Sequence, residues 1–320
     1  MSIDASAPLS GTALTLRGGG YLAELSTVGA TVRVLRFGDR DLIVPFARDE
    51  VRPAFRGATL APWPNRIVDG EYRFAGETHR VALTEPERGH ALHGLVGWYD
   101  FAVVAHTPER ALLTTTIAAQ SGYPWRVRVD VDYRLDGSGL TQTVTAVNLS
   151  DTPAPFGTGP HPYLLPATGS VNEALLHLPA SRVLEVTRRR LKPLDLAEVA
   201  VDAARFDFRE PRVIGEVCID HAFTDLARDG AGVASVTVTD AAARGARITF
   251  DAGSPWVQIC TADQPGGPGS PGHRIGVAVE PMTCAPDAFN AERYPFDTGV
   301  LSIAPGEAAS VTWTLSAVGD

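Results

Sequence analysis

The sequence has little cysteine, no long apolar run and no N-terminal targeting signal, and each shortage removes a class of protein. Its three cysteines are far apart and form no C-x-x-C pair, which is untypical of a disulfide framework or a zinc site: Cys218, Cys260 and Cys284. No stretch approaches the roughly 18 consecutive apolar residues of a membrane-spanning helix. The acidic Asp4 stands where a signal peptide is positively charged, and no apolar segment follows it. We therefore expect a soluble cytoplasmic protein without a membrane partner.

Basic residues are also in the minority. The chain carries 28 Lys and Arg against 37 Asp and Glu, for a formal net charge of −9. Nucleic-acid-binding proteins typically present a basic face, and the nearest basic run here is the short Arg188-Arg189-Arg190. We interpret this run as a solvated turn or strand end. The acidic balance excludes a nucleic-acid partner and favours a small, mostly neutral ligand.

Hydrophobic residues recur with a period of two. From Val127 to Leu135 apolar residues alternate with Arg and Asp, so that a strand would have one apolar and one charged face. A turn at Asp136–Gly139 and a Thr-rich segment follow, which is typical of a hairpin. Similar pairs of short segments occur along the whole chain. This pattern predicts an all-β sandwich in a single domain over residues 1–320.

Helical patterns are scarce, so we expect few and short helices. The most helical composition lies in Leu194–Arg205. The 31 glycines and 24 prolines are scattered as turn residues instead of marking one linker. The segment richest in glycine and proline, Gln264–Gly272, predicts a loop. Its composition fits both an ordinary surface loop and a mobile flap over a site.

Three histidines and one glutamate stand in settings that suit chemistry. His93, His161 and His221 lie beside glycine, proline or an acidic residue, which can aim a side chain from a strand end. Glu280 ends the apolar segment Ile275–Val279, where partial burial would raise its pKa and make it a base near neutral pH. A histidine bound to a carbonyl and a structural ion pair are the alternatives for these residues.

The sequence predicts neither a metal nor an organic cofactor. Its histidines lack the i, i+2 or i, i+4 spacing of common metal sites, and no phosphate-binding glycine-rich loop is present. The pair Asn65-Arg66 follows the rigid Ala61–Pro64 segment. An arginine in such a setting often binds oxygen atoms through its planar fork of donors, although a surface ion pair is equally compatible.

Together these segments resemble the aldose 1-epimerase (galactose mutarotase) family from about Ala23 to Thr314. Each segment is similar to a family motif, and the motifs come in the family order: Asn65-Arg66-Ile67 with Gly70, Leu92-His93-Gly94, Gly159–Tyr163, Asp220–Phe223, Val257–Thr261 and Val279–Met282. One departure is Ala61–Pro64, which replaces a glycine-rich lead-in, and such features resemble a bacterial branch of the family.

The resemblance implies a large antiparallel β-supersandwich that interconverts the α and β anomers of an aldohexose without a metal or other cofactor. It implies that Glu280 takes the C1 hydroxyl proton, that His161 protonates the ring oxygen and that His93 polarises this region. It further implies that sugar hydroxyls are bound by four residues: Asn65, Arg66, Asp220 and Gln258. Trp98 closely follows the first histidine motif, and Trp63 and Trp125 are candidates for lining the cleft, although core packing is the commoner use of tryptophan.

Three other functions compete with this interpretation. A hexose-6-phosphate epimerase of the same superfamily would need arginines at the cleft rim, for which four are available: Arg36, Arg52, Arg56 and Arg274. A non-catalytic sugar-binding protein would not need an acid/base pair. A glycoside hydrolase would need two carboxylates, for which Asp220 and Glu280 are the only candidates. For every alternative the partner is a small-molecule sugar, and the chain is expected as a monomer or homodimer.

Overall fold

The fold is known from a computed structural model that describes residues 8–319. Strands contain 47% of the residues and helices 6%, which confirms the prediction of an all-β protein with few short helices. Every strand pair in this range is antiparallel.

The strands are, in chain order, β1 (Ala13–Gly18), β2 (Tyr21–Ser26), β3 (Thr31–Phe37), β4 (Arg40–Asp41), β5 (Thr59–Leu60), β6 (Arg66–Val68), β7 (Glu71–Phe74), β8 (Glu77–Arg80), β9 (His90–Leu92), β10 (Ala102–Thr107), β11 (Arg110–Ile117), β12 (Val127–Asp136), β13 (Gly139–Asn148), β14 (Ala154–Phe156), β15 (Gly159–Pro160), β16 (Tyr163–Leu164), β17 (Leu175–His177), β18 (Ala180–Val186), β19 (Pro193–Glu198), β20 (Arg212–Val213), β21 (Asp220–Leu226), β22 (Ala234–Thr239), β23 (Gly245–Phe250), β24 (Trp256–Cys260), β25 (Val277–Met282), β26 (Leu301–Ile303) and β27 (Ala308–Val318).

Helical structure in the described residues is limited to one α-helical turn, α1 (Ala203–Phe206), and four 3₁₀ segments: Pro53–Phe55, Val96–Trp98, Val199–Asp202 and Ala288–Arg293. The segment Leu194–Arg205, which has the most helical composition, is therefore helical only in its second half, where the 3₁₀ segment Val199–Asp202 and α1 lie. Its first half is strand β19, which pairs with β18. A helix of this length is marginal without an apolar face to bury, whereas β18 offers backbone groups that satisfy the segment.

Two large sheets form the body of the molecule. The nine-stranded sheet has the order β10-β11-β12-β13-β27-β23-β22-β17-β20, and the six-stranded sheet has the order β16-β25-β24-β21-β18-β19. The period-two prediction is confirmed in β12, where Val127, Val129 and Val131 are fully buried while Arg128 and Arg134 are exposed. One hydrophobic cluster contains side chains of both sheets. That residues 1–320 form a single domain stays a prediction.

A buried polar chain joins the core of the nine-stranded sheet to the short strand β5. The Trp313 indole N–H donates to Gln142 Oε1 at 2.8 Å, and Gln142 Nε2 donates to Thr59 Oγ1, also at 2.8 Å. Thr59 in β5 pairs with Pro160 in β15. The hydrogen bonds of Gln142 therefore fix the position of the β5–β15 pair, and β15 directly precedes His161.

None of the helices within residues 8–319 has the length and apolar character needed to cross a membrane.

We predict that Gln142→Leu lowers the free energy of unfolding by about 2 kcal/mol. The change leaves the Trp313 N–H buried without its acceptor, and an unsatisfied buried group costs about 1–3 kcal/mol. Urea unfolding followed by tryptophan fluorescence measures the effect. The control is Thr145→Ala, which removes a solvent-facing hydroxyl pair with Ser310 and should stay within about 0.5 kcal/mol of wild type. Equal stability of all three proteins would contradict the role of Gln142.

Candidate active site

Asn65 and His93 face each other at the ends of two paired strands. Strand β6 begins directly after Asn65, and β9 ends directly before His93. Both residues have left-handed backbone, with φ of 54° and 60°. The His93 N–H donates to the Asn65 carbonyl at 2.7 Å, and the Asn65 N–H donates to His93 Nδ1 at 3.2 Å. These reciprocal bonds hold two unfavourable backbone conformations together, which is typical of a functional site.

The same bonds determine where His93 carries its proton. Because Nδ1 accepts a hydrogen bond, the neutral imidazole carries its hydrogen on Nε2. Burial lowers the pKa of His93 well below its ordinary value, and the nearby His161 and Arg66 lower it further. His93 is therefore a neutral hydrogen-bond donor through Nε2 and not an acid that supplies a full proton at neutral pH.

His161 is brought to the six-stranded sheet by a close approach of two backbones. A Cβ at Gly159 would lie 2.6 Å from the Pro281 carbonyl oxygen, so only glycine allows strand β15 to lie this near β25. The His161 N–H then donates to Ala58 O at 3.1 Å. As a result His161 Nε2 lies 3.5 Å from Glu280 Oε1, with both side chains buried.

Glu280 lies in the middle of the sheet on β25, opposite Gln258 on β24. Glu280 is only 2% exposed, and its Oε2 has no hydrogen-bond partner among the described residues. Gln258 Oε1 is also without a partner there, whereas its Nε2 donates to Asp220 Oδ1 at 2.7 Å. Buried polar atoms are almost always paired, so two unpaired oxygens side by side indicate a place where a polar ligand binds.

Arg66 and Asp220 form the polar side of the same pocket. The Arg66 guanidinium donates to both carboxylate oxygens of Glu85, at 2.8 and 3.0 Å. Its Nη2 lies 3.9 Å from Asp220 Oδ2. Asp220 retains 29% exposure, more than any other member of the set, and it lines an open hollow of about 560 Å³. Asp220 is therefore the member that is open to solvent and also hydrogen-bonded to the buried Gln258.

The structure thus brings together all seven residues that the sequence nominated: His93, His161, Glu280, Asn65, Arg66, Asp220 and Gln258. Two tryptophans do not belong to the site. Trp63 packs on Phe289, and Trp125 packs among rings of the core, so the suggestion that they line the cleft is wrong. Their large apolar areas are better buried in the core. Trp98 is 52% exposed and lies 5.6 Å from Phe55.

Sequence reasoning missed three residues of the site. Glu85 binds the guanidinium of Arg66, and Phe55 and Tyr163 stack on His161, with ring centroids 6.4 and 5.3 Å away. Tyr163 ends the motif Gly159–Tyr163, but nothing in that motif indicates that its ring stacks on His161. Glu85 and Phe55 stand in unremarkable sequence, and no spacing rule would have found them. Part of the loop predicted over Gln264–Gly272 does reach the site, since Gln264 and Pro265 line the hollow.

Burial decides the protonation of the central pair. Desolvation raises the pKa of Glu280 well above its usual range, the Asp220 charge raises it further, and Arg66 opposes this. Desolvation lowers the pKa of His161 to about 4, a hydrogen bond to the backbone of His161 itself opposes this shift, and Arg52 adds to it. Burial therefore favours the neutral form of each group, a carboxylic acid on Glu280 and a neutral imidazole on His161. The two groups are coupled, so their titration belongs to the pair.

The positions of His93, His161 and Glu280 also bear on whether the site could hold a metal ion. One nitrogen of each histidine and one oxygen of Glu280 all lie within 4.8 Å of one another, a set that resembles two-histidine, one-carboxylate metal sites. However, His93 accepts a hydrogen bond at Nδ1 and so carries hydrogen on Nε2. A metal at Nε2 would require loss of that hydrogen, so the residues do not fit a resident metal ion in this arrangement.

Comparison with known proteins gives a consistent result. A sequence profile described as Aldose 1-epimerase matches residues 12–313. The uncharacterized protein YihR of Escherichia coli is 33% identical over 283 residues, which cover 88% of this chain and 87% of YihR. Aldose 1-epimerase of Escherichia coli is 28% identical over 250 residues, 69% of this chain and 70% of that protein. A galactose mutarotase-like protein of Clostridium acetobutylicum shares the fold, with a TM-score of 0.81 at 18% identity over 95% of this chain and 94% of the other.

We predict that Glu280 keeps its proton to a higher pH than an ordinary glutamate, because burial raises its pKa. The measurement is the infrared difference spectrum between wild type and Glu280→Gln, recorded from acidic to alkaline pH. The carboxylic-acid C=O band of Glu280 should persist above the pH at which a solvent-exposed glutamate loses its proton. Glu77→Gln, a change at an exposed carboxylate, is the control for the substitution itself. A Glu280 carboxylate already ionised in mildly acidic buffer would contradict the prediction.

Proposed function

Because this chain belongs to the aldose 1-epimerase family, we propose that it interconverts the α and β anomers of an aldohexose such as glucose or galactose. The observation that carries this proposal is the buried contact between His161 Nε2 and Glu280 Oε1, 3.5 Å apart. Ring opening requires one group that removes a proton and another that supplies one at the same carbon centre. Each such group typically contributes about 10²–10⁴-fold to the rate.

In the proposed reaction Glu280 removes the proton of the C1 hydroxyl, and His161 donates a proton to the ring oxygen. The bond between C1 and the ring oxygen breaks, and the C1 hydroxyl becomes the aldehyde. After rotation about the C1–C2 bond, the new hydroxyl adds to the other face of the aldehyde. His161 recovers its proton from that hydroxyl, and Glu280 returns its proton to the aldehyde oxygen.

The proton balance of the pocket supports this sequence of steps. After ring opening Glu280 is protonated and His161 is neutral, which is the distribution that burial favours in the unliganded pocket. Burial therefore stabilises the pair in its open-chain stage. Before ring opening one proton must move from Glu280 to His161. Sugar hydroxyls that donate to the freed carboxylate would favour that transfer.

The remaining residues are proposed to hold the sugar. His93 presents an Nε2–H that suits an oxygen acceptor near C1. Asp220 and Gln258 offer a carboxylate and an unpaired amide oxygen to hydroxyl donors. Arg66, held by Glu85, and the neighbouring Asn65 offer further polar atoms at the same end of the pocket.

We predict that the wild-type protein accelerates the approach of freshly dissolved α-D-glucose or α-D-galactose to its final optical rotation. Glu280→Gln and His161→Asn should each lower kcat by at least ~10²-fold, because each removes one proton-transfer group. Polarimetry measures both effects. Matched controls at exposed positions, Glu77→Gln and His106→Asn, should behave as wild type.

Near-wild-type turnover in either site variant would remove that residue from the mechanism. Activity should survive dialysis against EDTA, and a loss that zinc restores would assign a metal to the histidine–glutamate set. If wild type accelerates neither sugar but binds one, the non-catalytic sugar-binding function replaces the epimerase.

A phosphorylated hexose is the second candidate substrate. The four arginines nominated from sequence do not support it, because each side chain already binds an acceptor within the protein. Their partners are Asp41 for Arg36, the Gly97 carbonyl for Arg52, the Pro45 carbonyl for Arg56 and Asp263 for Arg274.

Two other arginines, Arg88 and Arg189, line the hollow beside Asp220. The run Arg188–Arg190 forms a turn, as the sequence indicated, and Arg190 Nε donates to the Arg88 carbonyl at 2.7 Å, which brings the turn to the site. Carboxylates line the same hollow, so the neutral aldose remains the first proposal: Glu87, Asp220 and Asp263.

If a phosphate occupies this hollow, Arg189→Gln should lower kcat/KM for glucose 6-phosphate by about tenfold, the value of one charge-assisted hydrogen bond. The same change should leave kcat/KM for glucose unaltered. Arg188→Gln, at the exposed neighbouring residue, is the matched control for surface charge. An equal effect of Arg189→Gln on both sugars, or none on either, would exclude the phosphorylated substrate from this hollow.

A further inference from the structure

His161 lacks the hydrogen bond that usually orients a functional histidine. In such residues one ring nitrogen typically bonds a carbonyl or carboxylate, which fixes the plane and the tautomer of the ring. Here His161 Nδ1 is buried and has no hydrogen-bond partner in any other described residue; the only backbone hydrogen bond of the ring is with His161 itself. The residue itself is only 5% exposed. No hydrogen bond to a neighbouring residue therefore holds the plane of this imidazole.

Three rings surround the imidazole. The ring of Phe55 and the ring of Tyr163 are both inclined by 29° to it, in stacked arrangements with centroid distances of 6.4 and 5.3 Å. His93 meets it edge-on at 5.0 Å and 80°. Phe55 also packs on His93 at 4.8 Å, so that one phenyl ring contacts both histidines of the site.

The backbone that carries Phe55 is strained. Ala54 and Phe55 have φ of 46° and 56°, two consecutive left-handed residues of which neither is glycine. Such conformations cost about 1–3 kcal/mol each and persist where the surroundings hold them. Here the Tyr163 hydroxyl donates to the Ala54 carbonyl at 3.4 Å, and the Gly57 N–H donates to the His161 carbonyl at 2.8 Å. The strained turn is thus bonded to His161 itself and to the second stacking ring.

A cation supports the outer side of Phe55. The Arg52 guanidinium carbon lies 5.8 Å from the Phe55 ring centroid and 4.5 Å from that of Trp98. Arg52 is buried and donates to Thr31 Oγ1 at 2.7 Å and to the Gly97 carbonyl. The phenyl ring is therefore fixed between a rigid arginine on one side and the two histidines on the other.

We propose that Phe55 is a positioning residue for His161, and that its ring, together with that of Tyr163, sets the plane of the imidazole and excludes water from it, in place of a hydrogen bond to another residue. This role rests on the proposed function for its kinetic consequence, since it keeps Nε2 aimed at Glu280 and at the ring oxygen of the sugar. The ionisable groups around His161 are Glu280, His93, Tyr163 and Arg52. None of them offers Nδ1 a hydrogen bond.

Removal of the Phe55 ring should change both kcat and the pKa of His161. Phe55→Ala should lower kcat by about 10–100-fold, because a misplaced reacting group can cost about two orders of magnitude. Water would also reach His161, and relief of desolvation raises the pKa of a histidine. On the acid side of the kcat/KM profile Glu280 and His161 are both protonated, and Glu280 can no longer act as the base. The pH at which His161 gains its proton, and with it this acid limb, should move upward from about 4 toward the ordinary value of about 6.5. Phe55→Tyr should restore both properties because it keeps the ring.

The second readout does not depend on turnover. NMR titration of the His161 imidazole, assigned by comparison with His161→Asn, should show the same upward shift in Phe55→Ala. The result therefore separates failure of this proposal from failure of the proposed function. Phe55→Leu, which keeps most of the apolar volume, replaces Phe55→Ala if the latter does not fold, and it should show a smaller shift in the same direction. Phe37→Ala is the matched control, since it removes a half-buried ring that packs against Tyr21 with the ring centroids 4.7 Å apart.

An unchanged His161 titration in Phe55→Ala or Phe55→Leu, with a folded protein, would overturn the proposal. So would a loss of rate that Phe55→Tyr does not restore, because that outcome would assign Phe55 to general packing. A rate loss with a shifted titration, restored by tyrosine and absent in Phe37→Ala, would establish it.

Discussion

The burial of Glu280 against His161 is the constraint on which the rest of the site depends. A carboxyl group in the middle of a sheet is costly when charged, and a histidine beside it is costly when charged as well. Both costs are avoided when each group is neutral, with a proton on Glu280 and none added to His161, and burial shifts both pKa values in that direction. A pair in this state lies one proton transfer away from an acid and a base in contact. Desolvation, which would destabilise an isolated carboxylate, is therefore the source of the chemistry proposed here.

The fold holds this pair with rigid elements on one side and strained loops on the other. Glu280 and Gln258 are cross-strand neighbours within the six-stranded sheet, so their relative positions are set by sheet register. His161 and His93 come from segments outside the two large sheets, where left-handed residues and a close glycine contact at Gly159 replace regular pairing. Strain at Asn65 and His93 is compensated by their reciprocal hydrogen bonds. This division is typical of enzymes, in which regular strands supply stability and irregular segments aim the functional groups.

Much of this arrangement could be predicted from the sequence. Alternation in segments such as Val127–Leu135 predicts strands because a half-buried sheet requires period two, and β12 confirms it. The motif residues carry their own local signals: glycine and proline around His161, and an apolar strand before Glu280. Composition was less reliable at Leu194–Arg205, where pairing with β18 overrode helical propensity. It was also less reliable for Trp63, whose apolar area is buried in the core and not in the cleft.

The sequence by itself determined the class of fold, the family resemblance and seven polar side chains of the candidate site, because periodicity and short motifs are local properties of the chain. Only the tertiary structure decided which residues touch. Glu85 binds Arg66, Phe55 packs near His161, and Arg189 lines the same hollow as Asp220, although these segments are distant along the chain or without any motif. The direction of the pKa shifts of Glu280 and His161 was also decided there, because pKa depends on burial and neighbouring charge, and neither exists until the strands have packed.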